Sequence, residues 1–330
     1  MLGASTKSKK HDPRGVELSN RDLVAKIYWP EESRINEATA IEHAHNLLKN
    51  SVFKQHLPTV ICWKDFNHRT GDIRQKLGIT DDNTKSRVLR VLIAIRLEQL
   101  GYLRDEGNFL NGWKGCFQCR CSVPCLSQPS LTGYAGHHEI WLKGIQHGDI
   151  SLWNLMWDPS RNVGVLNDFD LVQISGESFE GGRRTGTIAF MALDLLALEE
   201  VSRRYTRFYR HDVESLIWVL IWVCLSLEYK DDIPPSLHGP ALHRQRDRLE
   251  SWKNPLSSLS TRLKVLTFTY QFEASNRYRR LWNLATQFIK CLNSWRGNEA
   301  KPVDDADDAD DTEDTYSQIM ELVKNYEESA

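Results

Sequence analysis

The stretch QHGDISLWNLMWDPSRNVGVLNDFDL, Gln146 to Leu171, organises this chain of 330 residues. It contains two short apolar runs, Leu155 to Trp157 and Val163 to Leu166. Between the runs, Asp158 to Asn162 has the proline and the Asp and Asn side chains that are typical of a turn. The pattern therefore predicts a β-hairpin with a polar loop at each end.

The two loops carry three side chains that the hairpin would bring together: Asp149, Asn154 and Asp168. Phosphoryl transfer from a magnesium nucleotide needs a carboxylate to orient and deprotonate a hydroxyl, and oxygen ligands for metal ions that bridge the phosphates. We interpret Asp149 as the base and Asn154 and Asp168 as metal ligands. The alternative is that all three are turn residues at strand ends, where Asp and Asn are common.

The charge of the chain is unevenly distributed. Residues 299–330 hold twelve acidic and two basic residues, so this segment carries a charge of -10 and residues 1–298 carry +8. A mildly basic body suits a phosphate-bearing ligand, but the charge is too small to indicate nucleic-acid binding.

No segment has the features of a secretory signal or a membrane span. The basic residues of MLGASTKSKK are followed by no apolar region, and the longest apolar run, Leu216 to Leu227, is too short to cross a bilayer. We expect a soluble protein of the cytoplasm or nucleus that makes no membrane contact. The seven cysteines would then be reduced thiols.

A lysine and a glutamate near the start of the chain have the arrangement that holds nucleotide phosphates in a small lobe. Leu23 to Trp29 reads as a strand that carries Lys26, and Arg34 to Asn50 has apolar residues at helical spacing. Glu37 is the expected partner of Lys26, with Glu42 as the fallback. Taken alone, this lysine and glutamate are better explained as solvated surface charges, and the stretch from Gln146 to Leu171 reverses that preference.

Four further elements complete the outline. Leu57 to Trp63 and Arg87 to Ile95 read as strands separated by a polar loop, and the second would lead into the connection between two lobes. Thr185 to Asp194 would be a loop anchored at its apolar end. Leu216 to Leu227 is apolar on nearly every side and predicts a helix in the middle of a core.

Residues 111–132 interrupt this pattern with a cysteine cluster. Cys116, Cys119, Cys121 and Cys125 lie within ten residues, in a stretch rich in Gly, Ser and Pro. Four thiolates can bind zinc, but structural zinc sites usually join two cysteine pairs across a longer loop. We therefore favour a surface insertion, or a wrongly joined stretch of coding sequence, over a zinc site.

The sequence DDADDADDTEDTY predicts a disordered acidic tail over residues 299–330, because its charges repel one another. A short helix from Tyr316 to Tyr326 is compatible with the pattern. A solubilising role is favoured over an autoinhibitory or partner-binding one.

With these residues in hand, the chain resembles the fungal-specific family of protein kinases. HGDISLWN resembles the family's catalytic loop, and LNDFDLV resembles its Asp-Phe-Asp version of the metal-binding motif. RTGTIAFMALDLL resembles the end of its activation segment, and YRHDVESLIWVL resembles its signature at the start of the central helix. The similarity extends from about Val24 to Trp295.

The resemblance implies an α+β, two-lobed protein-kinase-like fold. The N-terminal lobe, residues 1–100, would be truncated, and residues 101–298 would form a mainly helical C-terminal lobe that contains the Cys-rich insertion. The implied cofactors are ATP and Mg²⁺. Lys26 would contact the phosphates and be positioned by Glu37, while Asp149, Asn154 and Asp168 would act as already described. Asp212 would brace the catalytic loop from the central helix.

Three departures from the family pattern affect what the resemblance implies. Only Gly3 and Gly15 precede Lys26, so the glycine-rich lid over the phosphates is missing and ATP binding should be weakened. Gly148 replaces an arginine that grips a phosphorylated activation loop, which makes such regulation doubtful. Leu193-Asp194 replaces the family's proline-glutamate pair.

Three functions are compatible with these residues. The first is an ATP-dependent serine/threonine protein kinase whose protein substrate and oligomeric state the sequence does not indicate. The second is a catalytically impaired pseudokinase or truncated kinase that acts as an interaction module. The third is a small-molecule kinase of the aminoglycoside or choline kinase type, against which Thr185 to Asp194 argues, because a small acceptor needs no peptide-binding segment.

Overall fold

A computed structural model describes residues 21–79, 85–117, 136–174, 185–197, 207–298 and 308–329. These residues form two lobes, one built on a three-stranded sheet and one mainly helical. The α+β, two-lobed architecture predicted from the sequence is therefore confirmed. None of the helices in the described ranges is long and apolar enough to cross a membrane.

The small lobe is an antiparallel sheet with one helix packed against it. In chain order its elements are β1 (Leu23–Tyr28), α1 (Glu37–Leu47), β2 (Val60–Arg69), α2 (Thr70–Lys76) and β3 (Val88–Ile95). The strand order is β1-β3-β2, and Lys26 lies opposite Leu92. Because β3 is central, alternate residues along it are buried.

Helix α1 begins directly after its N-cap residue, Asn36, and buries one apolar face. The Asn36 side chain accepts a hydrogen bond of 2.9 Å from the Ala38 backbone N–H, so the helix starts at Glu37 and not at Arg34. Ala38, Ile41 and Ala44 are fully buried against the sheet. This helix holds Glu37 opposite the strand that carries Lys26.

The second strand is longer than predicted. It runs from Val60 to Arg69 instead of from Leu57 to Trp63, and part of the predicted polar loop is helix α2. Its residues after Val60 are partly or fully exposed, since it is an edge strand. Apolar alternation is weak in such a strand, which is why the sequence pattern missed its second half.

The large lobe contains the remaining elements. In chain order they are β4 (Glu98–Gln99), α3 (Glu106–Phe117), α4 (Gly136–Leu142), β5 (Ile145–Gln146), β6 (Leu155–Asp158), β7 (Val163–Leu166), β8 (Gln173–Ile174), α5 (Leu193–Ala197), α6 (Tyr209–Leu225), α7 (Gly239–Glu250), α8 (Pro255–Thr267), α9 (Leu281–Asn298) and α10 (Asp308–Ser329). Strand β3 leads into β4, which pairs with β6 and so joins the lobes.

Helix α6 lies at the centre of the large lobe. All of its residues from Ser215 to Leu225 are buried, as the all-round apolar sequence predicted. The Trp113 indole N–H on α3 donates a 3.0 Å hydrogen bond to the Leu216 carbonyl oxygen. Helices α7, α9 and α10 also contact α6, which makes it the central helix of the large lobe.

The predicted surface insertion over residues 111–132 is wrong for residues 111–117. These residues are the second half of α3, where Trp113 and Phe117 are fully buried at helical spacing and Cys116 is buried beside them. Burial raises the pKa of the Cys116 thiol. The glycines and asparagine of NGWKG hid this helix from propensity reasoning. Cys119, Cys121 and Cys125 lie outside the described residues.

The predicted disordered tail is also wrong over most of its length. Residues 308–329 form helix α10, which packs against α9 and α6 and is twice as long as the helix considered over Tyr316 to Tyr326. Ile319 and Val323 are buried, and Glu327 pairs with Lys114. An apolar stripe at helical spacing thus overrides the repulsion between acidic residues. Residues 299–307 lie outside the described part of the chain.

Removing the apolar anchor of α10 should destabilise the whole large lobe. We expect Ile319→Ala to lower the free energy of unfolding by about 3 kcal/mol, the cost of a cavity at a fully buried aliphatic site. Leu256→Ala is the matched control, because Leu256 is 94% exposed and its loss should cost less than about 0.5 kcal/mol. Urea denaturation followed by circular dichroism measures both. Equal effects of the two substitutions would mean that α10 is not docked.

Candidate active site

The β6–β7 hairpin places the two polar loops side by side. Leu155 pairs with Leu166 at its open end, and the Asn167 backbone N–H donates a 2.9 Å hydrogen bond to the Asn154 carbonyl oxygen. Asp149 and Asn154 precede β6, while Asp168 follows β7. The predicted hairpin is confirmed, and the structure brings the loops of all three predicted residues to one end of it.

Asp149 is held by hydrogen bonds from two directions. The Thr187 backbone N–H and hydroxyl each donate a 2.7 Å bond to Oδ1 of Asp149. The Asn154 side-chain amide donates to the Asp149 carbonyl oxygen at 2.8 Å and lies 3.3 Å from Oδ2. These donors fix the carboxylate orientation while leaving it partly exposed. Thr187 belongs to the anchored segment predicted over Thr185 to Asp194.

Lys26 joins the two lobes. Its ammonium donates to Glu37 at 2.8 Å and to Asp168 at 2.6 Å, so the strand, helix α1 and the loop after β7 meet at one nitrogen. Burial disfavours the charged ammonium, but the two carboxylates outweigh this effect and raise the pKa of Lys26. The predicted pairing with Glu37 is present. Glu42, the fallback, is exposed on α1.

Glu37 has a second donor that the sequence analysis did not single out. The Tyr28 hydroxyl lies 3.0 Å from the same Glu37 oxygen that Lys26 contacts. Lys26 and Tyr28 are two residues apart on β1, so they face the same side of the sheet. That spacing is the signal by which Tyr28 could have been found.

His147 ties the loop of Asp149 to the loop of Asp168. One ring nitrogen lies 3.0 Å from the Asn167 carbonyl oxygen, and the Asp149 backbone N–H donates to the other at 3.3 Å. A neutral imidazole satisfies both contacts, with its own N–H donating to Asn167. Burial lowers the pKa of His147, which favours that neutral form.

Asp212, at the start of α6, is buried below the loop that carries Asp149. One of its oxygens accepts from the Arg207 guanidinium at 2.7 and 3.0 Å, and the other lies 3.0 Å from a His137 ring nitrogen. The Gly148 backbone N–H approaches the second oxygen at 3.5 Å. Burial opposes ionisation of Asp212, but Arg207 and His137 outweigh it and hold the pKa far below its usual range. The structure thus places Asp212 as predicted.

Gly148 lies beside a guanidinium that comes from another part of the chain. Its φ is +78°, and a Cβ at this position would lie 3.0 Å from the Leu171 carbonyl oxygen and 3.8 Å from an Arg207 nitrogen. Any L side chain would be strained there. Arg207, which no local motif identified, therefore places a positive charge beside Gly148.

The end of the activation-like segment is anchored to the large lobe. The Asp194 carboxylate lies 2.9 Å from a His211 ring nitrogen and 3.5 Å from Arg210. Glu214 accepts a hydrogen bond from the Leu193 backbone N–H at 2.9 Å, and buried Arg262 donates to the Met191 carbonyl oxygen at 2.6 Å. Leu193-Asp194 therefore anchors this segment, although it differs from the proline-glutamate pair of the family pattern.

Asn154 and Asp168 have the chemistry of a magnesium site. Because the Asn154 amide nitrogen bonds to Asp149, its carbonyl oxygen remains as a ligand, and the Asp168 carboxylate is one-third exposed. Mg²⁺ is usually bound by one or two protein oxygens together with water and phosphate oxygens, so two protein ligands are sufficient. No group of three or more His, Cys, Asp and Glu side chains in the described ranges could hold a metal ion.

The turn of the hairpin is fixed by Asp158. This buried carboxylate accepts hydrogen bonds from Ser160 at 2.7 Å, from Arg161 at 2.6 Å and from Arg21 at 2.6 Å. Burial opposes ionisation, but the bonds from Ser160 and Arg161 outweigh it and lower the pKa of Asp158 to about 2. Asn162 adopts φ +57°, a conformation that asparagine tolerates in turns.

These contacts predict a pH-dependent contribution of Asp158 to stability. Its pKa is lower in the folded chain than in the unfolded one, so its contribution is full above about pH 4 and disappears as the pH falls towards 2. Asp158→Asn should lower the free energy of unfolding at pH 7 by about 1 kcal/mol, after solvent screening is allowed for. The difference from the wild type should shrink as the pH falls, as urea titrations from pH 5 to pH 2 can show. A difference that stayed constant over this range would contradict the assigned role.

Comparison with known proteins identifies a family over part of the chain. Residues 133–224 match the model of a family described as fungal protein kinase, which confirms the resemblance seen in the motifs and supports a protein-kinase-like function. The match is shorter than the span from Val24 to Trp295 that the motifs suggested. No curated protein sequence matches the chain.

Among solved structures, the chain is similar to the Cydia pomonella granulovirus kinase PK-1. The two share 15% sequence identity, the alignment covers 73% of this chain and 81% of that one, and the TM-score is 0.34.

Proposed function

We propose that this chain is an ATP-dependent serine/threonine protein kinase that transfers the γ-phosphate to a protein hydroxyl with Mg²⁺. The observation that carries the proposal is the bonding of the Lys26 ammonium to both Glu37 and Asp168. These bonds bring one cation and two carboxylates together beside the loop of Asp149, and we assign Glu37 the role of positioning Lys26 and Asp168 the role of metal ligand. That is the set of groups that phosphoryl transfer requires.

Lys26 and the two proposed metal ligands would bind and orient the nucleotide. Lys26 presents its ammonium at the interface of the two lobes, and Glu37 limits its movement. The Asn154 carbonyl oxygen and the Asp168 carboxylate would hold Mg²⁺, as their chemistry suits a hard cation. When bound, the magnesium nucleotide supplies the phosphoryl group and neutralises charge on the phosphate oxygens.

Asp149 would orient the acceptor hydroxyl and take its proton. Thr187 donates two hydrogen bonds to Oδ1, so Oδ2 is the oxygen better placed to accept a new one. Positioning of this kind contributes most of the catalysis in phosphoryl transfer, because the protein performs little covalent chemistry. His147 and Asp212 would act through the loop that they support.

The contact between Thr187 and Asp149 favours a protein acceptor over a small molecule. It fixes the anchored segment from Thr185 to Asp194 beside the base, where it can support an extended acceptor chain. A small-molecule kinase has no need of such a segment. The remaining alternative is an interaction module without activity. It would differ from a kinase in its nucleotide binding and in its transfer of phosphate.

Two substitutions separate binding from transfer. We expect Asp168→Ala to abolish magnesium-dependent ATP binding, because a metal ligand is lost. Asp149→Ala should bind ATP as the wild type does and transfer phosphate at least about 100-fold more slowly, because general-base and orienting functions are lost. Calorimetric titration with magnesium-ATP measures binding, and transfer of labelled phosphate to a serine- and threonine-containing protein mixture measures activity.

Asp72→Ala is the matched control for both variants, since Asp72 is an exposed carboxylate on α2. It should bind ATP and transfer phosphate like the wild type. If the wild type produced no heat with magnesium-ATP, the kinase proposal would fail and the interaction module would remain. Equal transfer by the wild type and Asp149→Ala would exclude Asp149 as the base.

A further inference from the structure

A groove of about 510 Å³ opens beside the loop of the proposed base. Leu152 and Trp153, which lie between Asp149 and Asn154 in the chain, form one of its walls. Gly101 and Tyr102, at the connection between the lobes, form another. Nothing in the proposed transfer of phosphate uses this groove, yet its wall and the base belong to the same loop.

The walls of the groove are aromatic. Trp153 is 43% exposed and Tyr102 is 69% exposed, so both present apolar ring surface to water. Trp222 and Leu249, which are nearly buried, lie deeper in the groove. Two large exposed aromatic side chains lining one concavity are typical of a binding surface.

Trp153 is held in a fixed orientation by the segment that also holds the base. Its ring packs edge to face on Phe190 at 5.5 Å, and Phe190 packs in the same way on Trp222 at 5.6 Å. Phe190 lies three residues after Thr187, which donates to Asp149. The aromatic wall and the catalytic carboxylate are therefore supported by one short stretch of chain.

The charged side chains at the groove balance one another, and Lys253, Glu250 and Arg246 are engaged in hydrogen bonds. Lys253 contacts both oxygens of Glu250 at 2.9 Å, and Arg246 donates to the Leu227 carbonyl oxygen at 2.7 Å. With Glu228, the lining contains two acidic and two basic residues. A groove without net charge offers no selective attraction to a charged side chain, whereas its ring surfaces suit an apolar one.

The groove is within reach of a chain whose hydroxyl is at Asp149. Trp153 is four residues from Asp149, and four extended residues span at most about 14 Å. An extended acceptor segment covers the same distance in about four residues. A side chain in the groove would therefore belong to the segment that carries the acceptor hydroxyl.

We infer that this groove binds an apolar side chain of the acceptor protein, located within about four residues of the phosphorylated serine or threonine. The inference depends on the proposed kinase function and defines the class of its substrate. The acceptor sequence is selected by an apolar residue near the hydroxyl, with Trp153 and Tyr102 as the residues that determine this specificity.

A positional peptide library tests the inference. Each peptide carries one central serine and one fixed residue at a neighbouring position, and transfer from labelled magnesium-ATP by the full chain is measured for each. We expect Leu, Ile, Met or Phe at one position within four residues of the serine to raise transfer about tenfold over Asp, Lys or Gly, the discrimination typical of an apolar pocket.

Substitutions in the groove test whether the groove causes the preference for an apolar residue near the acceptor serine. Trp153→Ala and Tyr102→Ala should each lower the apolar preference at least about threefold while leaving KM for ATP unchanged, because neither side chain is among the groups proposed to hold the phosphates and Mg²⁺. Tyr102 is mostly exposed, so its variant tests the groove even if Trp153→Ala does not fold. Tyr270→Ala is the control, because Tyr270 is 80% exposed and outside the groove lining, and it should keep the wild-type preference.

The possible outcomes separate the two proposals. Transfer by the wild type without an apolar preference, or a preference that persists in Tyr102→Ala and in folded Trp153→Ala, overturns the inference and leaves the kinase function intact. Absence of transfer to every peptide and to the protein mixture overturns the kinase function, and the inference with it. A preference for apolar residues that weakens only in the groove variants supports both.

Discussion

The buried carboxylate of Asp212 is the constraint on which the large lobe depends. A negative charge without exposure to water is tolerated only if it is fully paired and hydrogen-bonded. Here Arg207 supplies the opposite charge and His137 supplies a further contact. These partners come from either side of the loop that carries Asp149. The contacts that satisfy this one carboxylate therefore hold helix α4, the loop that carries Asp149 and Arg207 around the start of α6.

A second ionic contact links the lobes. Lys26 connects the sheet of the small lobe to helix α1 through Glu37 and to the large lobe through Asp168. Because both carboxylates share one ammonium, the position of α1 and the conformation of the loop after β7 depend on each other. Asp168 adopts φ +65°, a backbone conformation that is sparsely populated for this residue type and is maintained by its surroundings.

The sequence predicted the parts of the site that are encoded locally. Asp149, Asn154 and Asp168 lie on loops whose spacing is fixed by one hairpin, and Lys26 and Glu37 lie on a strand and a helix joined by a short turn. Arg207 and Thr187 could not be predicted in the same way, because both are far in sequence from the loop that carries Asp149 and reach its surroundings only in the folded chain. Helices α3 and α10 were missed because glycine-rich and acidic compositions concealed their apolar faces. Both helices form because burial of their apolar faces in the folded chain outweighs their low intrinsic helix propensity.

Helix α10 has a consequence for the order in which the protein folds during synthesis. Its Tyr316 ring stacks on His138 at 4.4 Å, next to the His137 that contacts Asp212. Asp149 precedes the first residue of α10 by 159 positions, 308 minus 149. At about 5–20 residues per second, a ribosome needs roughly 8–32 s to make that interval. Once α6 and α9 have themselves been made within that interval, the faces that α10 covers are without their partner until α10 follows. His138, the neighbour of the His137 that contacts Asp212, therefore gains its Tyr316 contact only after α10 has left the ribosome.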